Sequence, residues 1–185
     1  MVFITVMTLL ICKVRYLFIY PFIVLQKEQI IMGVLFLKEI YKKKIWGSRF
    51  FKEEINQALE DVPIGEMWCV AAHPECDLVI EDGIYAGKTL SEVYRDGPAL
   101  FNNPVSKKFP VVVKIIATAD DLSIQVHPDN QYALKYENDS GKTEGWLILR
   151  TDDDAQIVYG HRAPNKEHLT ALIAARRWSE FLNFV

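Results

Sequence analysis

The sequence predicts a mainly β domain with a few short helices, arranged as a barrel or jelly roll. Short apolar runs of strand length recur along the chain, turn pairs such as Asp82-Gly83 and Pro128-Asp129 separate them, and helical periodicity is confined to a few segments. Half of the 185 residues are apolar. This length and composition favour one folded domain with a buried core.

The predicted elements follow from local pattern and turn chemistry. Met67, Cys69 and Ala71 alternate with their neighbours in the first clear strand, so Cys69 is interpreted as a small core residue. The last segment carries Leu169, Leu172 and Trp178 at helical spacing. The predicted strands are Glu66–Ala72, Asp77–Ile80, Val111–Ala117, Leu122–His127, Glu144–Leu149 and Gln156–Tyr159. The predicted helical segments are Phe50–Leu59, Leu90–Tyr94, Asn130–Glu137 and Lys166–Phe184, and a turn is predicted at Trp46-Gly47.

Charge and cysteine content exclude some classes of protein. The formal net charge is -3, with no basic excess, which argues against a nucleic-acid-binding protein. Cys12, Cys69 and Cys76 are an odd number without CxxC spacing, so neither a disulfide framework nor a cysteine zinc site is expected. A reducing, cytoplasmic location is the prediction.

Residues 1–31 differ from the rest of the chain. They are mostly apolar, but Lys13 and Arg15 interrupt the apolar run before it reaches the roughly 18 residues of a membrane span. A secretory signal would place its cations first and end at a small-residue cleavage site. The alternatives for residues 1–31 are a membrane anchor and a dispensable upstream extension before Met32. We favour the extension, expect no membrane association, and assign the folded domain to residues 32–185.

The chemistry-bearing stretch is LSIQVHPD, followed by GKTEGW. In an extended strand Ser123, Gln125 and His127 share one face, and Glu144, 17 positions after His127, could return on a paired strand. An imidazole with two oxygen ligands suits a divalent ion such as zinc. From spacing alone, the alternative is a hydrogen-bonded, half-buried pair at a strand end.

Six ordered blocks of the sequence carry a family resemblance. They are LFLKEIYKKKIWG, GEMWCVAAHPE, GIYAGKTLSEVY, FPVVVKIIATADDLSIQVHPDNQYA, GKTEGWLIL and IVYGHRAPNKEHL. Over nearly all of Val34–Val185 the chain resembles the type I mannose-6-phosphate isomerases of the cupin superfamily, specifically their N-terminal part. The resemblance implies a cupin-type jelly-roll barrel that is incomplete in this chain.

The resemblance also implies roles for individual residues. Gln125, His127 and Glu144 would be three of the four zinc ligands. The fourth ligand of the family is a histidine in a later strand. Lys142 and Ser123 would take part in catalysis, whereas Lys114 and Trp46 would contact a small-molecule sugar phosphate. The implied reaction is the zinc-dependent interconversion of mannose 6-phosphate and fructose 6-phosphate, by a truncated form of the enzyme.

Two alternatives belong to other functional classes. One is an inactive or sugar-binding cupin fragment, which the missing fourth ligand favours. The other is a different cupin metalloenzyme, such as an iron oxygenase built on two histidines and one carboxylate. The Q-x-H pair and the KTE block argue against the oxygenase.

Overall fold

A computed structural model describes residues 4–10 and 34–185 of the chain. The chain divides into two compact units, the first ending at Arg150 and the second covering Thr151–Val185. Of the predicted upstream extension, residues 1–3 and 11–31 lie outside the described residues. Within the described residues, no helix combines the length and the apolar character needed to cross a bilayer.

The first unit is organised around a five-stranded mixed sheet. Its strands are β1 (Ile4–Leu10), β2 (Ile40–Ser48), β3 (Ile64–Val70), β6 (Val111–Ile116) and β7 (Lys142–Ile148), in the spatial order β2-β3-β6-β1-β7. The pairs β2-β3 and β3-β6 are antiparallel, whereas β1 runs parallel to both β6 and β7. The short strands β4 (Ala72–His73) and β5 (Cys76–Asp77) form a separate ribbon. The prediction of a mainly β fold is confirmed, and no closed barrel is formed by the described residues.

Short helices of the first unit begin at well-formed caps. In α1 (Leu90–Asp96), the Thr89 side chain and Glu92 form a reciprocal capping box. In α2 (Asn130–Tyr136), the Asp129 carboxylate accepts from the backbone N–H of Tyr132. Both agree with the predicted helical segments. The segment predicted as helical after Phe50 forms one π-helical turn, Phe51–Ile55.

Two apolar clusters make up the core of the first unit. One consists of Phe50, Phe51, Ile64, Ile115 and Ala117, and the other of Trp68, Ala71, Cys76, Leu78 and Val112. Burial raises the pKa of the Cys69 thiol to about 11. Because the thiolate is the reactive form, this supports the interpretation of Cys69 as a packing residue rather than a nucleophile.

Part of the predicted extension pairs with the sheet. Strand β1 lies between β6 and β7, and its backbone register places Thr8 opposite both Lys114 and Trp146. Residues 4–10 therefore have backbone partners on both sides. The domain boundary after residue 31 stays a prediction.

The predicted strand Leu122–His127 does not form a strand. The segment belongs to no ladder, and Ile124 and Val126 are exposed. Its alternating pattern is typical of a half-buried strand, but an extended segment becomes a strand only where a partner accepts its hydrogen bonds. The predicted turn at Trp46-Gly47 is also wrong, because β2 continues through both residues to Ser48.

The second unit is a small α/β arrangement. It contains β8 (Val158–His161), α3 (Lys166–Ala174) and β9 (Leu182–Phe184), with β8 and β9 antiparallel. The predicted helix over Lys166–Phe184 is therefore too long. It ends at Ala174, and Arg176 adopts a left-handed conformation with φ of 56°, which no continuing right-handed helix accommodates. Leu172, Phe181 and Leu182 form its core.

Candidate active site

A close backbone contact at Gly141 positions the start of β7. The backbone N–H of Gly141 donates to Asn130 Oδ1 at 2.9 Å, and that of Lys142 donates to the Pro128 carbonyl at 3.1 Å. A Cβ atom on residue 141 would lie only 2.4 Å from the Asp129 carbonyl carbon. Glycine is therefore required for β7 to begin directly against the end of the segment that carries His127.

This contact brings together three of the predicted site residues. Lys142 Nζ lies 3.0 Å from His127 Nε2 and 2.7 Å from Glu144 Oε2, and His127 Nε2 lies 3.5 Å from Glu144 Oε1. Lys142 and Glu144 are two residues apart on β7 and therefore share a face. All three side chains are half-buried or more. The cluster combines an imidazole, an ammonium group and a carboxylate within hydrogen-bonding range.

The surroundings of Glu144 favour its ionised form. Burial raises the pKa of this carboxyl group, but hydrogen bonds from Lys142 and Trp146, together with the charge of Lys142, outweigh burial and hold the pKa below its ordinary value. The Trp146 indole N–H donates to Glu144 Oε1 at 2.7 Å. Glu144 is therefore a carboxylate at neutral pH, as a metal ligand or an anionic partner of Lys142 must be.

Ser123 and Gln125 precede His127 in the chain and contact each other. Both side chains are exposed, and the Gln125 amide donates to Ser123 Oγ at 2.8 Å. Their contact agrees with the predicted i, i+2 alternation. Their roles in metal binding and catalysis stay predictions.

Lys114 belongs to a second charged cluster, on β3 and β6. Its ammonium group lies 3.9 Å from the centroid of the Trp68 ring and 3.7 Å from Glu66 Oε1. Glu66 also accepts from the Trp68 indole N–H at 2.8 Å and pairs with Lys44 at 3.6 Å. Burial lowers the pKa of Lys114, and the charge of Glu66 partly opposes this. Lys114 is thus a largely buried cation rather than a solvated strand residue.

Glu66 is a residue that sequence reasoning did not assign to the site. It is the buried charged residue of the described chain, with 8% of its surface exposed. An acidic residue within the apolar strand Ile64–Val70 was the available clue, since carboxylates are rarely buried without a partner. Its partners could not be read from spacing because they come from β2 and β6.

Trp46 lies beside this second cluster. A Cβ atom added to Gly65, the residue before Glu66, would lie 2.5 Å from Cζ3 of the Trp46 ring. The indole of Trp46 therefore packs directly over the backbone of Gly65. The predicted contact of Trp46 with a sugar stays a prediction.

The two charged clusters influence each other. The charges of Lys142 and Glu144 both act on the pKa of Lys114, although β1 separates their strands. The combined set has three lysines, Lys44, Lys114 and Lys142, and two carboxylates. Its excess of positive charge is suited to an anionic ligand.

The donor set fits part of a zinc site. Tetrahedral zinc is held by nitrogen and oxygen ligands at about 2.0–2.2 Å, so that neighbouring donors are separated by about 3.3–3.5 Å. The 3.5 Å between His127 Nε2 and Glu144 Oε1 agrees with this. Among residues 4–10 and 34–185, no group of three His, Cys, Asp or Glu side chains converges. The described site therefore offers two strong donors, His127 and Glu144.

Comparisons with known proteins identify the family of this chain. The model of the phosphomannose isomerase type I catalytic domain matches residues 34–154. The mannose-6-phosphate isomerase of Streptococcus mutans serotype c is 43% identical over 148 residues, which cover 80% of this chain and 47% of that protein. Mannose-6-phosphate isomerase ManA of Bacillus subtilis is 40% identical over 152 residues, covering 82% of this chain and 48% of ManA.

A solved structure of a protein with the same name has a similar fold. The crystal structure of the mannose 6-phosphate isomerase from Bacillus subtilis superposes with a TM-score of 0.78 at 34% identity, over 82% of this chain and 48% of that chain. The chain thus spans about half the length of the relatives that it matches. On the matches over residues 34–154 and the shared fold, the chain belongs to the type I phosphomannose isomerase family.

Proposed function

We propose that this chain forms part of a zinc-dependent isomerase that interconverts mannose 6-phosphate and fructose 6-phosphate, in the cytoplasm. The observation that carries the proposal is the convergence of His127, Lys142 and Glu144 within 3.5 Å of one another, in a chain of this family. This chain matches about half the length of two relatives that are named mannose-6-phosphate isomerases. The isomerase reaction of those full-length proteins is therefore a proposal for this chain.

The reaction moves a proton between C1 and C2 of the sugar, and this chain supplies polar groups for each part of the substrate. Lys142, in contact with both His127 and Glu144, would hold or transfer a proton at its ammonium nitrogen. The Ser123 hydroxyl would bind a sugar oxygen. Lys114, with Lys44 beside it, would attract the phosphate, and Trp46 would border the sugar.

The residues that would hold zinc are His127, Glu144 and Gln125. When bound, zinc supplies Lewis-acid polarisation of the sugar carbonyl. In the structure the Lys142 ammonium lies against both strong donors, so it neutralises the Glu144 carboxylate. Lys142 would therefore be the residue most affected by metal binding, because the two cations compete for the same carboxylate.

A second candidate function is sugar-phosphate binding without catalysis. It is favoured by the donor set, which contains only one histidine and one carboxylate among the described residues. An iron oxygenase is not supported, since its two histidines and one carboxylate do not assemble in the described part of the chain.

Zinc content after dialysis tests the metal site without depending on activity. We expect His127→Ala and Glu144→Ala to lose at least roughly tenfold in zinc affinity and Gln125→Ala to lose less, because an amide oxygen is a weaker ligand than an imidazole or a carboxylate. His73→Ala is the matched control, as His73 lies in the ribbon of β4 and β5. Equal zinc retention in all four variants would remove the metal site from this position.

A coupled assay for fructose 6-phosphate then separates the two functions. Turnover above background that requires Lys142 supports the isomerase. Zinc and sugar-phosphate binding without any turnover would support the binding function instead.

A further inference from the structure

Strand β2 bulges away from β3 near its end. Lys43 and Ser48 both pair with Ile64 on β3, so residues 44–47 form a bulge between them. A bulge redirects the side chains that it carries. Ile45, inside this bulge, is fully exposed, whereas the side chains on either side of it turn towards β3.

Gly65 on β3 provides the space that these two side chains occupy. A Cβ atom on Gly65 would lie 2.5 Å from Trp46 Cζ3, 2.6 Å from Lys44 Cβ and 2.7 Å from Lys44 Cγ, whereas ordinary contacts begin at 3.4 Å. The lysine atoms belong to the stem next to the backbone and the tryptophan atom belongs to a rigid ring, so neither group can swing away like a free side-chain end. Because Gly65 does not have a positive φ, its missing side chain serves close packing rather than an unusual backbone conformation.

The two side chains packed on Gly65 lead to different parts of the candidate site. The Lys44 ammonium lies 3.6 Å from Glu66, which also pairs with Lys114 at 3.7 Å. Lys44 thus belongs to the positively charged cluster proposed for the phosphate, whereas Trp46 is the ring proposed to border the sugar. A single glycine therefore underlies both contacts.

We propose that Gly65 is a positioning residue for sugar-phosphate recognition. Because Trp46 and Lys44 share the space over Gly65, the missing side chain fixes the separation between the ring that borders the sugar and a lysine that attracts its phosphate. A ligand that carries both groups at this separation is bound in preference to free phosphate, since the two contacts are made together. The inference deepens the proposed function and rests on it, because it concerns how the same site selects its substrate.

An alanine at position 65 would displace both side chains. To reach ordinary contact, the Trp46 ring and the Lys44 stem would have to retreat by about 1 Å. A displacement of about 1 Å in a positioning group can lower catalytic efficiency about a hundredfold. For binding alone we expect Gly65→Ala to lower the affinity for mannose 6-phosphate at least roughly tenfold.

Phosphorus NMR titrations of the full chain test this expectation with mannose 6-phosphate and with inorganic phosphate. Gly65→Ala should bind mannose 6-phosphate more weakly, and its preference for mannose 6-phosphate over inorganic phosphate should fall. Gly145→Ala is the matched control, because no atom lies within 4 Å of its Cβ position, and its affinities should equal those of the wild-type chain. Unchanged affinity in Gly65→Ala, or an equal loss for both ligands, would overturn the proposal.

Fluorine NMR of chains that contain fluorotryptophan shows whether Gly65 acts through Trp46. The Trp46 signal is assigned by its loss in Trp46→Phe. This signal should shift in Gly65→Ala and stay in place in Gly145→Ala. Weaker binding with an unshifted Trp46 signal would indicate a merely structural role for Gly65 and would also overturn the proposal.

A double variant decides the case in which Gly65→Ala does not fold. The same substitution is then combined with Trp46→Phe, because the phenylalanine ring is smaller and has no Cζ3 atom. Recovery of the circular dichroism of the wild-type chain supports the shared space over Gly65. A double variant that stays unfolded would show that the Trp46 ring does not occupy this space, which overturns the proposal.

Failure of this inference differs from failure of the proposed function. A wild-type chain that binds no mannose 6-phosphate contradicts the proposed function and the inference together. A wild-type chain that binds mannose 6-phosphate, with equal affinity in Gly65→Ala, overturns the inference alone and leaves the proposed function intact.

Discussion

Replacing Gly141 by alanine tests whether the backbone contact before β7 assembles the candidate site. The added Cβ would lie 2.4 Å from the Asp129 carbonyl carbon and 2.5 Å from the Asn130 nitrogen, whereas ordinary contacts begin at 3.4 Å. Both atoms are backbone, so neither can rotate away. The two segments would have to separate by about 1 Å, which weakens the hydrogen bonds of Gly141 and Lys142 to Asn130 and Pro128.

The expected magnitude follows from these two effects. Overpacking costs about 1–3 kcal/mol, and each weakened hydrogen bond costs about 1 kcal/mol. We therefore expect Gly141→Ala to lower the free energy of unfolding by about 2–4 kcal/mol. Gly145→Ala is the matched control, because no atom lies within 4 Å of its Cβ position, and we expect a change of less than about 1 kcal/mol.

Urea unfolding followed by circular dichroism measures the stability of both variants. A nuclear Overhauser contact between the His127 ring and the Lys142 side chain, which lie 3.0 Å apart at their nitrogen atoms, measures the geometry of the site. The contact should persist in Gly145→Ala and disappear in Gly141→Ala. Equal stability and an intact contact in both variants would refute the argument that Gly141 holds the site together.

The remaining predictions concern the two carboxylates. Glu66→Gln leaves Lys114 and Lys44 without their buried carboxylate and should lower the free energy of unfolding by about 2–4 kcal/mol in thermal melts. The control is Glu60→Gln, which removes an exposed ion pair with Lys43 and should cause no measurable change. Similar melting of the two variants would contradict the argument that burial makes the Glu66 pairs important. The pKa of the Glu144 carboxyl group is lower in the folded chain than its ordinary value in the unfolded chain. Ionisation of Glu144 therefore stabilises the fold above that ordinary pKa, and this stabilisation is lost as the pH falls below about 4. In a carbon NMR titration, Lys142→Met should raise the pKa of Glu144 more than Trp146→Phe does, since Lys142 contributes charge as well as a hydrogen bond; an unchanged pKa in both variants would show that neither residue stabilises the carboxylate.

Much of the fold could be predicted because it depends on local pattern. The strand at Val111–Ile116 and the helix after Asp129 follow from an apolar run and from a capping residue, and both were predicted close to their observed limits. The helix after Asn165 was predicted too long. Its true end depends on the left-handed conformation of Arg176 and on the pairing of β9 with β8, which residue spacing does not encode.

The candidate site was predictable only in part. The residue pattern led to His127 and Glu144, the family resemblance added Lys142, and the structure brings these three together. Glu66 was missed because its significance comes from Lys44 on β2 and Lys114 on β6, partners that only the sheet order brings close. The Leu122–His127 segment has the sequence of a strand but lacks a neighbour, and the presence of a neighbour is not a local property.

The position of β1 has a consequence for the width of the candidate site. The strands that carry Lys114 and Glu144 are not adjacent, and β1 lies between them as a spacer of two ladder intervals, about 9.6 Å in total. This spacer lies outside the matched residues 34–154. A strand outside the matched residues thus spans the distance between Lys114 and Glu144, so that changes in residues 4–10 should alter this distance without replacing any residue proposed for the site.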